Sequence, residues 1–173
     1  MALVPPFPFS PEEIRASLAP LRNDFSVAIY SPGNAFAVGA IIRTAHSFLA
    51  REIIIIGEAP FYEKAAMGMD KYESVVRCPS DEDFFEHVKG RPLVAIEKDG
   101  GKRNIVDIDA FPNEVVFLLG SERFGIPEPI LSRASDVLAI PMYGINHSFP
   151  VTVAAGIVMH EWARRRYGRG SSF

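Results

Sequence analysis

Four consecutive isoleucines, Ile53 to Ile56, constrain the fold of this chain more than any other sequence feature. A strand with one face in water alternates apolar and polar residues, whereas a strand covered by helices on both faces is apolar throughout. No apolar run in the chain approaches the roughly 18 residues that a membrane-spanning helix needs. The isoleucines therefore predict a central strand of a parallel sheet with helices on both faces.

The rest of the chain alternates between segments typical of strands and segments typical of helices. Strands are predicted at residues 25–30, 52–57, 74–77, 92–97, 114–119 and 137–140, and helices at 10–18, 35–49, 61–69, from 80, near 127 and at 151–167. This alternation predicts an α/β fold with a mostly parallel sheet flanked by helices. We expect residues 1–24 to form an N-terminal arm and short helix, 25–167 a single domain, and 168–173 a C-terminal tail.

Composition narrows the class of protein further. The single cysteine, Cys78, excludes an internal disulfide framework, and the N-terminus lacks the basic region of a signal peptide, so we expect a cytoplasmic protein. The four histidines are scattered without metal-ligand spacing, and we expect no metal. A net charge of −3 argues against a strongly basic, nonspecific nucleic-acid binder, but it allows an RNA enzyme with a local basic site.

Three segments place glycine and polar residues where predicted strands end, which is where open α/β sheets bind ligands. The first runs from Asn34 into the helix that carries Arg43. Because the neighbours of Arg43 in this helix are apolar, its charge needs a ligand, an ion-pair partner or access to solvent. Spacing alone leaves these alternatives open.

The second segment comprises residues 118–125 and the third comprises residues 140–156. Glu122 lies between two glycines and could orient a base, fix a loop or face solvent. Ser148 precedes the last helix, where it is expected to act as the N-cap, a role that is compatible with function. The small residues 154–156 permit close packing against another element or a second subunit.

Taken in order, the three segments carry a resemblance to a known family. The stretches are VGAIIRTAHSF (38–48), VFLLGSERFGIPEPIL (116–131) and IPMYGINHSFPVTVAAGIVMHEW (140–162). They resemble, in order and spacing, the three motifs of the SpoU/TrmH branch of the SPOUT class of RNA methyltransferases. The resemblance covers residues 25–165.

The resemblance implies an α/β fold whose C-terminal part is threaded into a deep trefoil knot. It implies S-adenosyl-L-methionine as cofactor and a homodimer with active sites at the interface. It also implies methylation of a ribose 2′-hydroxyl in a tRNA or rRNA substrate. A ribose hydroxyl must lose its proton as it attacks, so positioning of the two reactants would be the main task of the protein.

The resemblance also assigns roles to individual residues. Arg43 matches the arginine that engages the RNA, Glu122 and Ser148 match the glutamate and serine of the second and third motifs, and Asn34 is a candidate substitute for a family asparagine. The predicted cofactor site consists of Leu119, Gly120, Ser121, Ile140, Met142, Ser148 and Phe149.

Two positions depart from the family pattern, because Ala37 and Pro150 stand where the family usually has asparagine. Three hypotheses follow. The first is an active 2′-O-ribose methyltransferase. The second is a non-catalytic relative that binds RNA or cofactor, and the third is an unrelated α/β enzyme with a small-molecule acceptor.

The last helix ends in a cluster of arginines, residues 164–166 and 169. Such a cluster could contact phosphates. It could equally complement the helix dipole as a solvated helix end. The sequence does not separate the two.

Overall fold

The computed structural model describes residues 8–30, 33–98, 103–121 and 124–168. Its strands are β1 (Ser26–Tyr30), β2 (Ile53–Ile56), β3 (Val75–Cys78), β4 (Leu93–Ile96), β5 (Arg103–Asn104), β6 (Val116–Leu119) and β7 (Asp136–Ala139). Its α-helices are α1 (Pro11–Leu18), α2 (Ala35–Ser47), α3 (Asp81–His87), α4 (Glu128–Leu131) and α5 (Val151–Tyr167). The predicted order of strands and helices is confirmed, except that the short strand β5 was not predicted and that two 3₁₀ turns, Glu63–Ala66 and Met69–Lys71, replace the predicted helix 61–69.

These strands form one sheet in the order β3-β2-β1-β6-β4-β7-β5, and all neighbouring strands are parallel. The predicted α/β class with a parallel sheet is therefore confirmed. The four isoleucines of β2 are all buried, as the sequence predicts. Ile53 and Ile55 pack into a core with α2 and α5, whereas Ile54 and Ile56 pack on the other face with α3 and α4.

Serine residues cap the N-termini of α1 and α3, whereas the capping residue of α5 differs from the predicted one. Ser10 and Ser80 each form a capping box with an acidic residue three positions later. The expectation that Ser148 caps α5 is wrong. Pro150 is the N-cap, with an extended backbone (φ −53°, ψ 140°), and the helix begins at Val151 as predicted. Ser148 lies two residues before this N-cap.

The order of the strands brings the later loops to one place. β6 lies between β1 and β4, and β7 follows β4 on its other side. Because the strands are parallel, the segments that leave β4, β6 and β7 emerge at the same edge of the sheet, which we call the carboxyl edge. The opposite edge, where the strands begin, is called the amino edge. No helix of the described segments is long and apolar enough to cross a membrane.

The amino edge is held together by two buried carboxylates. Glu52 accepts hydrogen bonds from Arg91 at 2.5 Å and pairs with His87 at 2.9 Å. Burial raises the pKa of Glu52, but the hydrogen bonds and charges of Arg91 and His87 outweigh burial, and the net pKa lies below its ordinary value. These contacts tie the residues before β2 and β4 and the end of α3 into one cluster.

The second carboxylate, Glu73, has a fully buried side chain. It pairs with the guanidinium of Arg22 and with Nδ1 of His46, the latter at 2.7 Å. Arg22 also donates to the carbonyl oxygens of Ala50 and Tyr72, each at 2.7 Å. The cluster therefore fixes the N-terminal helical segment against the end of α2 and the residues before β3.

Candidate functional site

A cavity of about 470 Å³ opens at the carboxyl edge, beyond the ends of β4, β6 and β7. This is the place where open parallel sheets bind ligands. All the residues that the sequence predicts for the cofactor line it, namely Leu119, Gly120, Ser121, Ile140, Met142, Ser148 and Phe149. The geometry thus brings the second and third motifs together around one space.

The wall contributed by the loop after β6 depends on two glycines. Ser121 and Gly125 exchange backbone hydrogen bonds of 2.9 and 3.1 Å, which close the loop on itself. A Cβ on Gly120 would lie 2.4 Å from the carbonyl carbon of Gly125, so only glycine fits there. Gly125 itself has a φ of +65°, a conformation that favours glycine. Glu122, the predicted catalytic residue of this loop, lies outside the described residues.

Glu97, at the end of β4, also lines the cavity, and sequence reasoning missed it. One of its carboxylate oxygens accepts a hydrogen bond from the backbone N–H of Ile126 at 3.3 Å, and the other accepts one from its neighbour Lys98 at 3.0 Å. A carboxylate has about four lone-pair sites, so both oxygens retain acceptor capacity toward a ligand. The signal for Glu97 was a charged residue directly after an apolar strand.

The loop after β7 forms the opposite wall. Ser148 is exposed to the cavity, and its carbonyl oxygen accepts a weak hydrogen bond from the Asn146 side chain at 3.4 Å. His147 lies beside Ser148 in the same wall and was likewise not predicted. Its position next to a motif serine is the only signal that the sequence carries for it.

Asn34 lies beside the cavity and also has a structural task. It is the N-cap of α2, and its Oδ1 accepts hydrogen bonds from the backbone N–H groups of Phe36 at 3.1 Å and Ala37 at 3.4 Å. Asn34 lines a narrow crevice together with Gly120 and Ser121, which also line the cavity. Ala37 lines the same crevice, so an apolar methyl group stands where the family usually places an amide.

Arg43 is not brought into the cavity. It lies on the exposed face of α2, and its guanidinium has no hydrogen bond or ion pair with any residue in the described ranges. An ion pair within the described fold is therefore not its role. Its charge is available to a ligand that approaches from outside.

The arginines at the end of α5 divide between two roles. Arg165 is nearly buried and donates to the carbonyl oxygens of Ile105 at 2.6 Å and Ile108 at 3.0 Å, so it serves the fold. Arg164 and Arg165 both pair with Glu161. Burial raises the pKa of Glu161, but the two guanidinium groups lower it by more than burial raises it. The net pKa therefore lies below its ordinary value. Arg166 is exposed.

Comparison with known proteins identifies relatives of one kind. A profile of the SpoU rRNA methylase family matches residues 24–160. A 23S rRNA (adenosine(1067)-2′-O)-methyltransferase of Streptomyces laurentii is 31% identical over 140 residues, which cover 76% of this chain and 51% of that protein. A tRNA (guanosine(18)-2′-O)-methyltransferase of Escherichia coli K12 is 27% identical, over 88% of this chain and 69% of that protein. This chain thus spans about half of the Streptomyces protein.

Solved structures show the same likeness in three dimensions. An rRNA methyltransferase from Sinorhizobium meliloti, solved with AdoMet bound, has a TM-score of 0.75 at 30% identity, over 87% of this chain and 59% of that one. A chain solved in a study of "the 2-OH methylation of C/U34 on tRNA" has a TM-score of 0.77 at 25% identity. That match covers 84% of this chain and 97% of the other. Among the described residues, no group of histidine, cysteine and acidic side chains is arranged to hold a metal ion.

Proposed function

Because the chain belongs to the SpoU rRNA methylase family, we propose that it is an RNA methyltransferase that modifies a ribose 2′-hydroxyl. Its cofactor is S-adenosyl-L-methionine, which relatives of this fold bind. One observation supports the proposal most. The residues predicted for the cofactor, drawn from two separate motifs, line a single cavity at the carboxyl edge.

The cavity fits this cofactor in size and chemistry. Pockets for ligands of this size enclose roughly 300–1,000 Å³, and this one encloses about 470 Å³. The apolar side chains of Leu119, Ile140 and Met142 would hold the adenine ring. The Glu97 carboxylate and the Ser121 hydroxyl offer acceptors to the ribose hydroxyls or the ammonium group. The close approach of the loop at Gly120 leaves its backbone at the cavity wall.

When bound, S-adenosyl-L-methionine supplies an activated methyl group. The residues of the chain then have to position a ribose hydroxyl and assist the loss of its proton. We assign Ser148 and Glu122 to orienting the hydroxyl, and Asn34 to the adjacent crevice. A guanidinium remains protonated and binds phosphate with two parallel hydrogen bonds, so Arg43 orients the RNA or stabilises charge on the attacking oxygen.

We also propose that the chain forms a homodimer with active sites at the interface. Arg43 is exposed outside the cavity, which supports this arrangement, because a second copy could carry its own arginine to the cavity of the first. The C-terminal part is proposed to form the deep trefoil knot. The insertion of β6 between β1 and β4 supports such threading.

The substrate class is a structured RNA, either tRNA or rRNA, since relatives act on both. The replacement of two family asparagines by Ala37 and Pro150 favours a second candidate, a relative that binds the cofactor without transferring methyl groups. Ala37 is almost fully buried, at 3% exposure, and its methyl group cannot make the hydrogen bonds of the amide.

Two measurements test the proposal. Calorimetry should show binding of S-adenosyl-L-methionine and S-adenosylhomocysteine by the folded protein, and no binding of either would refute the cofactor site. Mapping of 2′-O-methylation in total RNA from a deletion strain and its parent should reveal one lost modification, and thereby the substrate. Cofactor binding without transfer to any RNA would establish the non-catalytic candidate instead.

A further inference from the structure

Two aromatic side chains form an exposed pair beside the candidate site. Phe36, in the first turn of α2, is 59% exposed, and Tyr62, just before a 3₁₀ turn, is 48% exposed. Their rings are stacked, with centroids 6.4 Å apart and planes 25° from parallel. The pair presents aromatic surface to solvent, although each ring already packs against the other.

The fold holds this pair in place. The backbone N–H of Tyr62 donates to the carbonyl oxygen of Ala35 at 2.9 Å. A Cβ on Gly39 would lie 2.6 Å from the carbonyl oxygen of Tyr62, so glycine at this position lets the segment close onto α2. Ala66, at the end of the same segment, is fully buried. The two rings are therefore mounted on a packed support, which lowers the entropy cost of binding a ligand.

The pair connects the cavity with the exposed arginine. Asn34 accepts a hydrogen bond from the backbone of Phe36 and lines the crevice next to the cavity. Arg43 lies seven residues after Phe36, which is about two turns, so both side chains lie on the same exposed face of α2. Glu63 and Lys64, which follow Tyr62, are both exposed and carry opposite charges.

We infer that the Phe36–Tyr62 pair stacks on an unpaired base of the RNA substrate next to the modified nucleotide, while Arg43 contacts a phosphate. The inference rests on the proposed function for the identity of the ligand. Proteins recognise single-stranded RNA by stacking bases on aromatic side chains and by binding the backbone with cations. A base within a duplex offers no free face, so this surface selects a loop or a bulge.

The test uses a ten-nucleotide single-stranded RNA with one central 2-aminopurine, whose fluorescence is quenched by stacking. Phe36→Leu and Tyr62→Leu keep apolar bulk but remove the ring, and each should weaken binding about tenfold, the scale of one lost stacking contact. Phe36→Trp should retain binding and quenching. The matched control is Phe9→Leu, which changes a phenylalanine of similar exposure, 53%, located before α1. It should leave affinity unchanged.

Sedimentation of each variant completes the test, because a second copy of the chain is the other possible occupant. Weaker RNA binding with an unchanged oligomeric state supports the inference. Loss of self-association in Phe36→Leu overturns it, and so does unchanged RNA affinity in both leucine variants. If the wild-type protein binds S-adenosylhomocysteine but not the RNA, the stacking inference is refuted and the proposed cofactor site is not. Ring-dependent RNA binding without any cofactor binding would instead refute the proposed methyltransferase.

Discussion

The two edges of the sheet use charged residues in opposite ways. At the amino edge, Glu52 and Glu73 are buried and each is held by an arginine and a histidine. At the carboxyl edge, Glu97 keeps acceptor capacity at the cavity wall, and Arg43, on the exposed face of α2, has no ion pair within the described segments. The charges of the amino edge therefore stabilise the fold, and those of Glu97 and Arg43 are available to ligands.

This difference between the two groups of charged residues predicts that substitutions in each group should affect a different property of the protein. A change at the amino edge removes one partner of a buried pair and leaves the other without compensation, which is costly for the folded state. A change at Arg43 removes a group that makes no contact within the described fold. Stability should therefore report on the amino edge, and turnover on Arg43.

The largest effect is expected for Glu73→Gln. Loss of this fully buried carboxylate leaves the guanidinium of Arg22 without its counter-charge, and the free energy of unfolding should fall by about 3 kcal/mol or more. Urea denaturation measures the change. The matched control is Glu12→Gln, which breaks an exposed pair with Arg15 and should cost less than about 1 kcal/mol. Equal losses in the two variants would remove the contrast between buried and exposed pairs.

The second effect concerns turnover. Arg43→Ala should lower the rate of methyl transfer by roughly two orders of magnitude, the scale of one positioned catalytic group, without changing the melting temperature or cofactor affinity. Arg43→Lys should not restore the rate, because lysine lacks the planar fork of the guanidinium. Arg51→Ala is the control, since Arg51 is an arginine of the amino edge whose partner is Glu114. A stable Arg43→Ala protein with normal turnover would exclude Arg43 from the mechanism.

The fold was predictable from local signals to a large extent. The apolar run of β2 and the helix starts predicted at residues 10 and 80 each reflect forces within a few residues, and the structure confirms them. The start of α5 was predicted correctly, but its capping residue was not, because Ser148 has the chemistry of a cap whereas the extended backbone of Pro150 occupies the N-cap position. The strand β5 has two residues and depends on its pairing with β7, so no local pattern announces it.

Only those residues of the candidate site that belong to the family motifs were predictable from the sequence. The seven residues assigned to the cofactor meet around one cavity, but their binding role stays a prediction, as do the roles of Asn34, Ser148 and Arg43. Glu97 was missed because a cavity wall is assembled from segments far apart in sequence, and His147 because its only signal was its position beside Ser148. The buried pairs of Glu73 could not be seen for the same reason as Glu97, since its partner Arg22 lies 51 residues away.

A smaller effect should appear in the pH dependence of stability. Glu52 has a lowered pKa in the folded protein, so its contribution is present above the unfolded value of about 4.3 and is lost as the pH falls through the folded value. Glu52→Gln should therefore be less stable than the wild type at pH 7, and the gap should close in acid as the wild-type carboxylate gains its proton. Chemical denaturation across this range measures the gap. A gap that is independent of pH would show that the charge of Glu52 is not what stabilises the amino edge.

The smallest effect is expected at Gly156, and its sign tests the proposed homodimer. In the single chain, a Cβ at this helical position meets no heavy atom within 4 Å. Helix propensity alone therefore predicts that Gly156→Ala stabilises the monomer by roughly 0.5–1 kcal/mol. Ala155 is buried in the core of the single chain, so only Gly156 of the small residues 154–156 tests the contact. If Gly156 faces a second copy, the added methyl group must instead fit into a close helix contact.

We expect the sign to change with protein concentration. At dilutions where sedimentation shows monomer, Gly156→Ala should be the more stable protein. At micromolar concentrations, where the wild type is expected to be dimeric, the variant should lose this advantage, because an added methyl group at a close-packed interface separates the two helices. Stabilisation of the same size at every concentration would mean that this face of α5 stays in water. The homodimer would then have to use another surface, and the case for Arg43 reaching a partner's cavity would need a different geometry.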